Sequence, residues 1–207
     1  MGIYNGKDFS FYISPKTGGT TIRSWLVYSE TGTLEIQNES DGYTSLNHIG
    51  SQLIFNMGYY YKDFKKINSP CKVCIKRDPV ERFLSCYTDK VIREKNINNF
   101  NLSIDELLDN WNSLKSGRID SRKPGTFYLE NHFLPQTNYI GNSKDYYDYV
   151  FDITDLNTKV KQFLEDKLKC DLPNLHTRKQ IKKPNLNKGQ IDKIKKIYEI
   201  DYENGWY

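Results

Sequence analysis

The segment Ser14-Pro-Lys-Thr-Gly-Gly-Thr-Thr21 constrains this chain more than any other. Before it, Phe9-Ser-Phe-Tyr-Ile-Ser14 alternates and is rich in strand-forming side chains, and after it Thr20 to Tyr28 suits a helix. Strand, tight glycine turn and helix in that order place a helix N-terminus, with its unpaired N–H groups, at the carboxyl end of a strand. Gly18 and Gly19 let the backbone approach a ligand, while Lys16, Thr17, Thr20 and Thr21 add a cation and hydroxyls. The pattern is a cradle for a phosphate-like anion. It is not the Gly-x-x-x-x-Gly-Lys-Ser/Thr loop, because the lysine precedes the glycines. A plain Gly-Thr turn opening a helix is the bland alternative for this segment taken alone.

The same order recurs downstream. Cys71-Lys-Val-Cys-Ile75 is an apolar run of strand length, Arg77 follows it, and Asp78-Pro79 reads as the N-cap and first residue of a helix to about Arg93. Arg77 and Ser85, two turns into that helix, make a second anion site at a strand's carboxyl end. Tyr149-Val-Phe-Asp152 is a third short strand, and Ser51 to Tyr61 reads as an aromatic-rich helix. Ser103 to Glu106 is a capping box opening a helix to about Leu114. Asn157 to Lys169 and Asn187 to Tyr198 are amphipathic helices, the second with Gln190 three residues after Asn187. Leu34 to Gly50 and Ser116 to Thr126 read as irregular or loop segments. Strands alternating with helices predict an α/β, P-loop-NTPase-like three-layer fold, with a mainly parallel central sheet flanked by helices. With 207 residues, no repeat and no low-complexity linker, a single domain over 1–207 is expected.

Composition narrows the partners. The formal charge is +4, from 30 Lys and Arg against 26 Asp and Glu, too mild for a protein whose affinity rests on neutralising many nucleic-acid phosphates. Lys159 to Lys196 nevertheless holds twelve Lys and Arg against four Asp and Glu. This reads either as solvated helix faces or as a positive rim attracting an anionic donor, with Arg178, Lys179, Lys182 and Lys183 as the nearest contacts. Sixteen Tyr, ten Phe and three Trp supply the core that a modest 37% hydrophobic content would not suggest. No run approaches the ~20 apolar residues of a membrane span, and the first residues lack a signal-peptide pattern. Gly6 stands where a myristoylation motif wants Ser or Thr. The four cysteines read as reduced thiols, so the expectation is a soluble, cytoplasmic protein. Cys71 and Cys74 point to opposite faces of their strand, which disfavours a metal site. The Tyr59-Tyr-Tyr61 and Tyr146-Tyr147 clusters suit either packing or stacking on sugar rings.

Taken together, the two anion elements resemble those of sulfotransferases. Pro15-Lys-Thr-Gly-Gly-Thr-Thr21 resembles their 5′-phosphosulfate loop, and Arg77-Asp-Pro-Val-Glu-Arg-Phe-Leu-Ser-Cys-Tyr87 resembles their 3′-phosphate element, Arg-x-Pro-x-x-Arg-x-x-Ser-x-Tyr. Asn131-His-Phe-Leu-Pro-Gln136 is similar to the family's His-x-x-Pro-Gln segment, and Asp201 to Tyr207 to its closing Asp-aromatic segment. His176-Thr-Arg-Lys179 falls where the family has a loop that can cover the nucleotide. The likeness runs from about Phe9 to Tyr207 and is nearest to the carbohydrate sulfotransferases.

The resemblance implies transfer of a sulfuryl group from 3′-phosphoadenosine 5′-phosphosulfate (PAPS) to a hydroxyl of a saccharide or glycoconjugate, with no metal. It gives Lys16 the charge on the bridging oxygen, Thr17, Gly18, Gly19, Thr20 and Thr21 the 5′-phosphate, and Arg77 and Ser85 the 3′-phosphate. Arg178 and Lys179 belong to the covering loop. His48 stands where uronyl sulfotransferases carry their base, although other branches use a Glu. His132 is the second candidate, for catalysis or acceptor binding, against a role in bracing the fold. Acceptor choice falls to the loops between Leu34 and Tyr61 and between Asn96 and Phe133. Two rivals stand beside this reading. A nucleotide or sugar kinase would want a lysine within the glycine loop and acidic residues for magnesium. A non-catalytic module binding nucleotides or sulfated glycans on the same fold would need no base.

Overall fold

Short apolar runs build one sheet, and where each run ends decides where the chemistry can sit. The computed structural model describes residues 2–32, 55–56, 69–93, 102–112, 132–175 and 181–207. The strands are β1 (Gly2–Asn5), β2 (Ser10–Ile13), β3 (Phe55–Asn56), β4 (Lys72–Lys76) and β5 (Tyr149–Asp152), in the spatial order β3-β1-β2-β4-β5. β2 pairs with β4 and β4 with β5 in parallel, while β1 pairs antiparallel with both β2 and β3.

The α/β class and the parallel strands β2, β4 and β5 match the sequence expectation. The antiparallel edge was not in it. β1 is four residues long and closes a hairpin onto β2, Gly2 facing Ile13 and Asn5 facing Ser10, with the Gly6 N–H donating to the Phe9 carbonyl at 3.0 Å. β3 lies inside Ser51 to Tyr61, which was expected to be helical. Phe55 and Asn56 instead pair with Tyr4 and Ile3, a non-local partnership that overrides local preference.

The chain divides into two compact units, each made of two stretches: residues 1–76 with 139–176, and residues 77–138 with 177–207. The first holds the sheet, α1 (Gly19–Thr31) and α4 (Lys161–Leu168). Its core joins Phe9, Phe11 and Ile13 of the β2 region to Ile22, Trp25 and Leu26 of α1, Val73 and Ile75 of β4, and Leu164 of α4. Trp25 is fully buried, and its indole N–H donates to the Pro173 carbonyl at 2.9 Å, so the ring's polar atom is satisfied. α4 is entered through a π-helical turn, Leu156–Val160.

The described residues of the second unit are mainly helical. α2 (Pro79–Tyr87) runs on through a π-helical stretch, Thr88–Arg93, as far as the sequence predicted. Its other described helices include α3 (Ile104–Asp109), α5 (Lys188–Ile197) and α6 (Glu199–Glu203). Phe83, Cys86 and Tyr87 pack with Leu107, Phe133, Ile194 and Tyr198. Both predicted capping boxes form, Ser103 with Glu106 and Asn187 with Gln190. Gln190 also reaches Asp105 at 3.0 Å and Lys193 reaches Asp109 at 2.6 Å, joining α5 to α3 at the surface.

Candidate functional site

The turn from β2 into α1 has an unusual backbone. Lys16 has φ 66° and Gly18 has φ 82°, both in the left-handed region, so a lysine holds a conformation that costs an L-residue roughly 1–2 kcal/mol. Thr17 is fully buried between them. Its hydroxyl donates to the Ser14 carbonyl at 2.8 Å, and the Ser14 hydroxyl reaches Thr17 Oγ1 at 3.4 Å. The Thr17 hydroxyl therefore closes the loop on itself, while Thr20 is exposed and Thr21 and Lys16 are half-buried.

Gly18 is the N-cap of α1, with no side-chain cap and no acidic residue in the first turn. The N–H groups of that turn point out of the helix toward the Lys16 loop with no carboxylate of their own helix to meet them. Sequence reasoning gave Gly18 and Gly19 the task of letting a ligand come close. The structure supplies a second reason. A Cβ on Gly18 would lie 2.9 Å from Leu156 Cδ2 and 3.2 Å from Ile153 Cδ1, and one on Gly19 would lie 2.9 Å from Ile13 Cγ2. The glycines let the loop settle onto its own sheet and the turn after β5.

β2 and β4 are parallel neighbours and end at the same edge of the sheet. Arg77 is the residue after β4. Asp78 then caps α2, its Oδ1 accepting from the Glu81 N–H at 2.9 Å, and Pro79 occupies the first turn, as the sequence predicted. The Arg77 guanidinium is largely buried, and burial pulls its pKa below the usual value, opposed by Glu81. Its ion pair with Glu81 is long, 3.8 Å, and Glu81 also takes Lys183 at 2.5 Å. Ser85 is half-buried in α2.

Arg82, the second arginine of this element, is fully buried. It donates to the carbonyls of His132 and Leu134 and lies 5.0 Å from the ring centre of Tyr198. Its cation braces the fold. The His132 carbonyl also accepts from Cys86 Sγ at 2.9 Å, so the backbone of His132 has the bracing role, and its ring is half-buried.

One group of residues received no role from sequence. The Gln136 side chain is fully buried and pairs with both backbone groups of Arg77, accepting its N–H at 2.9 Å and donating to its carbonyl at 2.7 Å. Asp201, also fully buried, accepts from the backbone N–H groups of Gln136 and Thr137 at 2.9 and 2.8 Å and from the Thr137 hydroxyl at 2.8 Å. The signal for Asp201 was legible: Ile194, Tyr198 and Asp201 recur at helical spacing on one face, and a carboxylate on an apolar stripe calls for buried donors.

The other expectations fall out plainly. His48, Arg178, Lys179, His176 and Tyr59 to Tyr61 lie outside the described residues. Cys71 and Cys74 are buried, and burial pushes both thiols up, Cys74 the more. Among the described residues no group of three His, Cys, Asp or Glu side chains is placed to hold a metal ion. Tyr147 is buried with its hydroxyl on the Ile140 carbonyl at 2.7 Å, and Tyr146 meets Tyr12 edge-on, so this pair packs. No described helix is long and apolar enough to cross a membrane.

A search of curated proteins and one of solved structures each found no match. The family model described as "Sulfotransferase family" matches residues 7–204, which take in both strand-to-helix turns, the Gln136 segment and Asp201. With all but a few residues of the chain inside that match, the protein belongs to the sulfotransferase family.

Proposed function

We propose that this protein transfers the sulfuryl group of PAPS to a hydroxyl of a saccharide or glycoconjugate, residues 1–207 working as one P-loop-like, three-layer sulfotransferase domain. The observation that carries the reading is the β2–α1 turn: a helix start with no side-chain cap, preceded by a half-buried lysine in the left-handed conformation. A helix N-terminus and a cation together favour an anion there.

In the proposed reaction the acceptor oxygen forms a bond to sulfur as the bond from sulfur to the bridging phosphate oxygen breaks, leaving adenosine 3′,5′-bisphosphate. Negative charge grows on that bridging oxygen. Lys16 and the first N–H groups of α1 are the groups suited to stabilise it, and they need no reorganisation because the loop is already folded. Gly18 to Thr21 hold the 5′-phosphate through backbone N–H groups and the hydroxyls of Thr20 and Thr21, with Thr17 keeping the loop closed. Arg77 and Ser85 take the 3′-phosphate. The buried Arg77 charge has already lost much of its water, and a phosphate would restore its solvation with geometrically matched acceptors. On the family resemblance alone, His48 takes the acceptor proton and Arg178 and Lys179 close over the nucleotide.

Titration calorimetry of the full chain with adenosine 3′,5′-bisphosphate, AMP and ATP tests the donor. Tighter binding of the 3′,5′-bisphosphate than of both others is expected; a preference for ATP that needs magnesium would replace this reading with a kinase. A transfer assay with labelled PAPS over polysaccharides then tests the acceptor class.

A further inference from the structure

We propose that Gln136 and Asp201 are positioning residues for Arg77: they fix its peptide and, through it, the guanidinium that distinguishes a 3′-phosphorylated nucleotide. The role rests on the donor reading above. The parallel pairing of β4 with β5 ends at Lys76 and Asp152, so Arg77 is the first residue beyond the ladder, and its N–H and carbonyl need other partners. The Gln136 amide supplies both, Oε1 to the N–H at 2.9 Å and Nε2 to the carbonyl at 2.7 Å. One donor and one acceptor leave the amide a single sensible orientation. Its own backbone is held in turn, because Asp201 takes the N–H groups of Gln136 and Thr137 and the Thr137 hydroxyl.

The residues linking Asp201 to the Arg77 backbone through Gln136 are shut away from water, Gln136 and Asp201 both at 0% exposure. In such surroundings a satisfied chain of hydrogen bonds is rigid and a broken one is costly. A bracing network could end on any peptide. This one ends on the residue whose cation is desolvated and lies 3.8 Å from the Glu81 carboxylate, the side chain whose planar fork must be aimed to read a phosphate.

The test compares the affinity ratio for adenosine 3′,5′-bisphosphate over AMP in the full-length wild type, Arg77→Ala, Gln136→Met and Thr137→Val. Met keeps the volume of Gln and removes both hydrogen bonds. The expected result is a ratio lowered by about tenfold in Gln136→Met and about threefold in Thr137→Val, with AMP affinity within about twofold of wild type. A purely structural role lowers the melting temperature and moves both affinities together, leaving the ratio alone. An unchanged ratio in Gln136→Met, while Arg77→Ala abolishes the preference, overturns the proposal. If Gln136→Met does not fold, an unchanged ratio in Thr137→Val does so instead. A wild type with no preference for the 3′,5′-bisphosphate is a different result: it removes the donor reading itself, and the role of Gln136 with it.

Discussion

After β2 the chain enters α1 through Gly18, with no side chain capping the helix and a lysine two residues earlier. After β4 it enters α2 through Asp78, whose carboxylate already accepts from the Glu81 N–H. Both turns follow strands that end at one edge of the sheet, and both are read from sequence as anion sites. They differ in what the helix start has left to give. At α1 no side chain caps the helix and no acidic residue of the first turn offsets the positive end of the dipole. At α2 the cap is a carboxylate, which satisfies the helix and repels an anion at that spot, so the proposed binding there falls to side chains, Arg77 and Ser85. In the proposed reading the first turn, with Lys16 and the helix start, meets the group whose charge changes during reaction, and the second meets a group that is only bound.

That contrast is broken most directly at Lys16. Lys16→Ala should lower kcat by about 100- to 1000-fold, the range for losing one preorganised charge stabiliser, while the fold stays intact. Lys16→Gly should be equally inactive yet more stable, by about 1 kcal/mol, because φ 66° suits glycine. Steady-state kinetics and thermal melts decide it; an active Lys16→Ala would remove the catalytic half of the contrast.

Next in size is Arg77→Ala. Affinity for adenosine 3′,5′-bisphosphate should fall by about 10- to 100-fold with little change for AMP, as measured by calorimetry. Equal losses for the two ligands would mean that α2 does not read the 3′-phosphate.

The two helix starts themselves can be exchanged in kind. Gly18→Ala places a Cβ 2.9 Å from Leu156 at a positive φ, and should destabilise by about 2–3 kcal/mol in denaturant titrations. Asp78→Ala removes only a cap, about 1 kcal/mol, and should leave nucleotide affinities nearly unchanged. If Asp78→Ala destabilised as much as Gly18→Ala, or lowered nucleotide affinity, the two turns would not differ as described.

The smallest effect concerns α3, whose start resembles that of α2. Bonds from the Ser103 N–H and then from its hydroxyl hold the Glu106 carboxyl below its usual range. A carboxyl depressed in the folded state gives stability that is present above the unfolded pKa of about 4.3 and is lost as pH falls through the folded value. Ser103→Ala should therefore move the Glu106 titration, followed by NMR, part of the way back up. An unmoved titration would assign the shift wholly to the backbone.

The sequence was legible wherever local chemistry decides. Asp78-Pro79, Ser103 with Glu106, and Asn187 with Gln190 became caps because a side-chain oxygen three residues from an open N–H has few other uses. β5 fell on Tyr149–Asp152 as expected, and the Lys16 loop lies between strand and helix as its glycines implied. β1 and β3 were not legible, since four residues and two residues become strands only by pairing with distant ones. Asp201 stands out as a carboxylate on an apolar stripe, but its partner Gln136 was hidden for the same reason, as 65 residues separate the two.

By itself, then, the sequence determined the local features: strand, turn and helix, twice over, the first turn through glycines and the second through Asp78-Pro79, because these follow from backbone preference and spacing. Tertiary structure alone decided what each residue does there. Gly18 is small because Leu156 and Ile153 press against it, Arg82 is a brace, and Arg77 is held from behind by Gln136. Those assignments depend on contacts between distant parts of the chain, and no local pattern encodes them.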